Sequence, residues 1–329
     1  MKNRMIAICD KEAAYAYNLV DYFNNKNNIF FSEAFTNEES IHEYAKERFI
    51  HILLVSDKMN IELINKKNIG LTILLSEQEA VLAGKTYKAI YKYQSAGNIL
   101  KSIMNYYAER EDEPLSLLNK KCQIIGVYSP IKRSLKSSFC LALGQILAKE
   151  KAVLYLNMEE YSGFSTLFQK EYKADLSDVI YYLRQDKANL LVKLEGIVDS
   201  INNLDYIPPV SSPMDIREVK KEEWLKLFRE VSANSKYETV IVDFGDGAEG
   251  LLELLSECNQ IYVPIREDYL SNAKIEQFES LLDKAGYEVL KSNMKKIKLP
   301  YHNSFGSREC YAEQLVWSEL GDYVRSVVR

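Results

Sequence analysis

The chain has 329 residues, 47% of them hydrophobic and 27% charged, with a formal net charge of −5, which exceeds what one core usually serves and excludes a disordered or strongly basic nucleic-acid-coating chain. No apolar run approaches the roughly 18 residues of a membrane-spanning helix, and Met1 leads into a strand-like run without a signal-peptide pattern. Cys9, Cys122, Cys140, Cys258 and Cys310 are odd in number and widely spaced, as buried thiols of a reducing cytoplasm are, so a cytoplasmic protein is expected.

In chain order, strand-like runs occur at Met5–Cys9, Ile29–Ala34, His51–Val55, Leu71–Leu75 and Ala89–Tyr91. Segments of helical potential, Glu12–Phe23 and Glu38–Glu47, lie between them, and a further helix is expected near Ile99–Tyr107. Strands alternating with helices predict a doubly wound, flavodoxin-like α/β sheet. The join is expected at Glu109–Pro114, a charged run ended by proline. This gives an N-terminal domain over residues 1–110 and a second α/β domain over 118–329.

The second domain opens with an apolar run, Cys122–Tyr128, and Phe139, Leu143, Ile146 and Leu147 then recur at helical spacing. The stretch from Gly126 to Ser138 therefore lies between strand and helix, the context a phosphate-binding loop requires, because amides at a helix N-terminus cradle phosphate. Lys136 stands where a P-loop lysine neutralises phosphate, and Ser137 where a hydroxyl ligates magnesium. Further strands are expected at Val153–Glu159, at Tyr237–Asp246, which closes on Asp243 as a Walker B strand does, and at Asn259–Ile265, followed by Arg266 and a helix from about Ser271. ATP with magnesium is a ligand such a site could take, with Ser137 and, through water, Asp243 on the metal side.

Together these segments resemble the MinD/ParA ATPases. In that family's loop an additional lysine reaches across a dimer to the partner's nucleotide; here that position is Ile131, and the family's glycine positions hold Lys132, Arg133 and Leu135. Leu135 is expected to crowd a phosphate unless the loop opens, since glycine alone adopts the tightest conformations without strain. Asn157 and Glu159 fall on an Asp-x-Asp-like pair, so one carboxylate is kept. The nucleotide-binding set implied is Lys132, Arg133, Ser134, Leu135, Lys136, Ser137, Ser138, Glu159, Asp243 and Arg266. With Ile131 at the signature position no catalytic residue is assigned and hydrolysis is expected to be negligible.

Within that superfamily the chain resembles the TadZ/CpaE branch of pilus-assembly proteins. The marks are Tyr128-Ser129-Pro130 leading into the loop, Leu176–Val179 opening a helix, Leu204–Pro209 followed by Pro213-Met214-Asp215, Asp243–Asp246, and Lys298-Leu299-Pro300. The resemblance implies a receiver-like N-terminal domain, a homodimer, and contacts with other Tad pilus-assembly components at the inner face of the membrane or the cell pole, the membrane being reached through partners. A working receiver needs an acidic pocket, an aspartate after its third strand, a hydroxyl after its fourth and a lysine after its fifth. Asp10, Ser76 and Lys92 keep three of these, but the acceptor position falls on Ser56, and Asp57, one residue on, is expected to point away because strand side chains alternate. The resemblance implies a pseudo-receiver followed by a degenerate MinD/ParA-type ATPase domain, acting as a localisation or assembly factor for Tad-type pili; the alternatives are a nucleotide-cycling ParA/MinD positioning ATPase and a two-component response regulator.

His42, His51 and His302 show no ligand spacing, so no zinc site is expected, nor haem or flavin. Lys291, Lys295, Lys296 and Lys298 read as a solvated face, with no specific nucleic-acid partner. The apolar stripe Leu315, Val316, Leu320, Tyr323, Val324, Val327 and Val328 is expected to dock on the protein's own core, because Glu313, Glu319 and Asp322 occupy the polar face where a membrane-binding helix carries Lys and Arg.

Overall fold

The structure, a computed structural model, describes residues 4–26, 29–61, 64, 66–78, 87–108, 122–185, 190–300 and 310–328. The chain divides into two compact units, Met1–Glu113 and Pro114–Arg329. The expected join at Glu109–Pro114 and His302 lie outside the described residues.

The first unit runs β1 (Arg4–Cys9), α1 (Ala13–Lys26), β2 (Phe30–Phe35), α2 (Glu38–Glu47), β3 (Ile50–Ser56), β4 (Ile69–Ser76), β5 (Lys88–Tyr91) and α3 (Ala96–Ala108). Its five-stranded sheet has the order β2-β1-β3-β4-β5, and every pairing is parallel. That is the doubly wound order in which the site lies beyond the carboxyl ends of the central strands. Met5–Cys9 is buried throughout, as a strand covered on both faces must be. The first helix runs three residues past the expected Phe23 to Lys26, because the Asn24 amide group donates to Ser32 O and accepts from Ser32 N at 3.0 and 2.8 Å, fastening this end to β2. Asn37 starts α2 by accepting from the Ser40 amide at 2.8 Å, an ordinary N-cap.

The second unit runs β6 (Gln123–Val127), α4 (Lys136–Leu147), β7 (Val153–Met158), α5 (Phe164–Phe168), α6 (Leu176–Arg184), α7 (Leu190–Ile197), β8 (Asp199–Ile201), β9 (Leu204–Ile207), α8 (Pro213–Arg217), α9 (Lys221–Asn234), β10 (Thr239–Phe244), α10 (Leu251–Ser256), β11 (Gln260–Ile265), α11 (Tyr269–Ala285), α12 (Glu288–Ser292), β12 (Met294–Lys298), α13 (Tyr311–Leu315) and α14 (Glu319–Val328). The seven-stranded sheet has the order β12-β11-β6-β10-β7-β9-β8, parallel except for the edge hairpin of β8 with β9. Strand β6 lies between β10 and β11, so the loop that follows it emerges at the middle of the sheet. Apolar layers cover both faces: Trp224, Leu227, Phe228 and Val231 of α9 belong to one, Phe139, Leu143 and Val324 to the other. This is a P-loop NTPase architecture, a central strand, loop and helix in a mostly parallel sheet.

The C-terminal stripe forms two helices and not one continuous surface. Ser318 Oγ donates to Leu315 O at 2.8 Å, and at Gly321 a Cβ would collide with Val316 O, so the chain turns tightly there. Leu315, Leu320 and Val324 are buried against α4, while Trp317 in the turn is exposed. Cys9, Cys140 and Cys258 are buried, whereas Cys122 and Cys310 are only half-buried.

Candidate nucleotide site

The carboxyl ends of β6, β7, β10, β11 and β12 face the same edge, where they surround a cleft of about 1000 Å³. Lys132, Arg133, Ser134, Leu135, Lys136, Ser137, Ser138, Glu159 and Arg266 all line it, together with Gly245, Asp246, Glu267 and Lys298. Asp243 is absent from the wall: it is wholly buried behind Lys136.

The loop is pinned at its start. Ser129 Oγ donates to Pro264 O at 2.7 Å and accepts from the Ile131 amide at 3.1 Å, and Ile131 is buried in the core. Arg133 (φ 57°) and Leu135 (φ 61°) then take left-handed backbone conformations. The loop therefore does not avoid the conformation that glycine would supply; it adopts that conformation with side chains in place, at an expense of roughly 1–2 kcal/mol per residue. Leu135 is the N-cap of α4 and supplies no side-chain hydrogen bond, which leaves the first-turn amides without a side-chain partner.

Lys136 opens α4 and is buried at its tip. Its ammonium donates to Phe244 O and pairs with Glu159, and it lies 2.9 Å from Asp243 Oδ1. Burial alone would lower its pKa, but the charges of Asp243 and Glu159 outweigh it and hold the group above the ordinary lysine range. Asp243 is oriented from the other side by Tyr155, whose hydroxyl donates to Oδ2 at 3.0 Å; Asn157 Nδ2 donates to that hydroxyl at 2.9 Å, and Asn157 Oδ1 accepts from the Glu159 amide at 2.9 Å. Asn157 thus serves as a neutral relay between the Glu159 amide and the Tyr155 hydroxyl. Gly245 is needed where β10 passes β7, since a Cβ there would come within 2.6 Å of Met158 O.

Toward the mouth, Lys132 pairs with Asp246, and Tyr128 donates to Asp246 Oδ1 at 3.2 Å. Ser138 Oγ and Tyr311 OH lie 2.7 Å apart, so α13 touches the first turn of α4. Arg266 is exposed, with Asp268 at 3.9 Å. The features fit a polyphosphate: an uncapped helix N-terminus, a lysine at it, and the Ser134 hydroxyl buried with no hydrogen-bond partner among the described residues. No group of three or more His, Cys, Asp or Glu side chains suited to a metal occurs among the described residues. A magnesium ion entering with phosphate does not need such a group.

In the first unit, Lys92 is wholly buried with Asp10 Oδ2 at 2.7 Å and Glu12 Oε1 at 3.1 Å, and stacks over the Tyr15 ring at 4.5 Å. Burial works against its charge, yet Asp10 and Glu12 raise its pKa above the usual lysine value. Ser56 is buried, and its Oγ accepts from the Lys58 amide at 3.4 Å. Ser76 Oγ donates to Gln78 O at 3.2 Å. Asp57 is exposed and accepts from the Glu77 amide at 3.2 Å. Lys291, Lys296 and Lys298 each have an acidic partner, Asp283, Glu279 and Glu267, and Lys295 sits over the Tyr262 ring.

Sequence reasoning missed Asp246, Tyr155, Tyr311, Glu12 and Tyr15. Tyr155 was accessible from strand alternation, being two residues before Asn157 and hence on its face; Tyr311 had no local signal.

No protein-family model matches the chain, and no curated protein matches it. Among solved structures, a plasmid partition protein from Borrelia burgdorferi bound to AMPPNP is 16% identical at a TM-score of 0.44, covering 64% of this chain and 100% of its own. An ATP complex of a Cyanothece McdA variant is 12% identical at 0.42, covering 59% and 78%. Cobyrinic acid a,c-diamide synthase from Mycobacterium smegmatis with bound ADP and magnesium is 13% identical at 0.42, covering 61% and 82%. These likenesses are too distant to transfer a function, and the α/β, P-loop assignment rests on strand order, register and the loop itself.

Proposed function

We propose that the chain binds a nucleoside triphosphate with magnesium in this cleft, turns it over negligibly, and works as a homodimeric localisation or assembly factor of the TadZ/CpaE kind for Tad-type pilus machinery. The observation that supports binding is Lys136, buried at the N-terminus of α4 between Glu159 and Asp243. Lys136 would turn from these carboxylates to phosphate, which frees Asp243 to reach magnesium through water, while Ser137 would ligate the ion directly. Magnesium supplies positive charge to offset the carboxylates. Ile131 is apolar and buried, so it offers no cation across a dimer to the developing charge of hydrolysis, and losing such a trans-acting cation lowers rates by on the order of 10³–10⁵ even where a lysine of the same chain holds the bound phosphate.

The pilus assignment rests on the order of the resembling segments. Co-purification of the tagged chain with the other pilus-assembly components tests it, and their absence from the eluate under mild conditions counts against it. Binding is tested by isothermal titration with AMPPNP and magnesium. Saturable heat at micromolar concentrations is the expected result; none at about 1 mM ligand, an affinity worth only about 4 kcal/mol, sinks the nucleotide reading. Phosphate release from ATP should not exceed that of Lys136→Ala. A clear excess would favour the nucleotide-cycling ParA/MinD-type alternative.

A further inference from the structure

Two basic side chains of the loop differ in how they are held. Lys136 is enclosed, whereas the Lys132 side chain is 66% exposed and still bound, to an Asp246 side chain that is 43% exposed. Asp246 is not a casual surface partner, because its other oxygen accepts from Tyr128, whose ring is buried against Phe278 at 5.3 Å. Ile131 and Lys132 are consecutive, and the first is anchored in the core while the second lines the cleft. The ion pair therefore spans from the loop after β6 to the turn after β10, across the mouth of the cleft.

We propose that Lys132 supplies, within one chain, the cation for the terminal phosphate of the bound nucleotide, and that Asp246 is a latch holding this lysine until a triphosphate competes for it. The inference rests on the nucleotide reading above. An exposed ion pair is weak, so the lysine is readily transferred to a group of higher negative charge. Tyr128 keeps the carboxylate in place afterwards, which lets the latch close again when the terminal phosphate is gone. A diphosphate lacks the group that Lys132 meets. The pair thus makes the site selective for triphosphate, and Asp246 lowers the affinity that Lys132 would otherwise give.

The test is titration calorimetry with AMPPNP–magnesium and ADP–magnesium on the native protein, Lys132→Met, Asp246→Asn and the double variant. Folding is checked by near-ultraviolet circular dichroism. Lys132→Met should weaken AMPPNP about tenfold and leave ADP within about twofold, the loss expected for one charge-assisted hydrogen bond. Asp246→Asn should tighten AMPPNP about threefold or more, and this gain should vanish in the double variant. An equal effect, or none, of Lys132→Met on the two nucleotides overturns the latch while leaving the nucleotide reading intact, as does an Asp246→Asn gain that persists without Lys132. Binding by neither the native protein nor Asp246→Asn overturns both.

Discussion

Lys136 is the only counter-charge described for Asp243, which is wholly buried, and it also neutralises Glu159. Removing one partner of a buried pair leaves the other uncompensated, at an expense of about 3–5 kcal/mol. Lys136→Met should therefore lower the urea-unfolding free energy by about that much, and adding Asp243→Asn should recover more than half. A single-variant loss below about 1 kcal/mol contradicts the buried pairing. Because the folded pKa of Lys136 is raised, its contribution is complete below the unfolded lysine value of about 10.4 and is lost only as pH rises through the folded value. The effect of the variant should thus be constant between about pH 6 and 9. The places of Lys136 and Ser137 at the start of α4 and of Asp243 near the end of β10 were legible in the sequence, because an apolar run followed by helical spacing frames the first two and an apolar run closing on an acid marks the third. Asp246 was quoted as part of a strand end but not as a site residue, since its role comes from Lys132 and Tyr128, 114 and 118 positions away.

At the scale of elements, β1 to β7, β10 and β11 could be placed from their apolar runs, whereas the short edge strands β8, β9 and β12 and the approach of one strand end to another could not. Gly245 illustrates this: nothing in Phe244-Gly245-Asp246 announces that Met158 O lies where a Cβ would go. Gly245→Ala should push the ends of β10 and β7 apart, destabilise the protein by about 1–3 kcal/mol and weaken AMPPNP binding, since Glu159 and Asp243 belong to those ends. Unchanged stability and affinity would show that the ends have slack. The turn at Trp317 was illegible for a related reason, the apolar stripe being continuous while the break depends on Gly321 and Ser318. In the first unit Ser56 ends β3 and Asp57 follows it, exposed. Asp57 is engaged by the Glu77 amide and Lys92 by Asp10 and Glu12, so acetyl phosphate or beryllofluoride should leave the protein unmodified by mass spectrometry. Stoichiometric labelling at Asp57 would reverse the pseudo-receiver reading.

At the scale of the whole molecule, the edge that carries the cleft also carries exposed apolar side chains. Tyr161, Met214, Tyr269 and Leu270 follow β7, β9 and β11, and are 84%, 53%, 96% and 69% exposed. Large apolar groups left in water on one edge are a mark of an interface, and a second copy of the chain meeting it about a twofold axis is the commonest closed solution. Their accumulation was not legible in the sequence, where the four positions span more than a hundred residues and only strand direction brings them to one edge. Ile131, being 5% exposed, cannot reach across to a partner's nucleotide, so the association should not require one. Sedimentation equilibrium at about 1–10 μM should give a dimer without nucleotide, a concentration range in which a stable interface worth about 8 kcal/mol is populated. Tyr269→Ser with Leu270→Ser should shift it toward monomer by tenfold or more in dissociation constant, about 1.4 kcal/mol, as loss of an aromatic anchor does. A monomer that dimerises only when ATP is added would refute this arrangement, because the contact would then have to be built on the nucleotide itself.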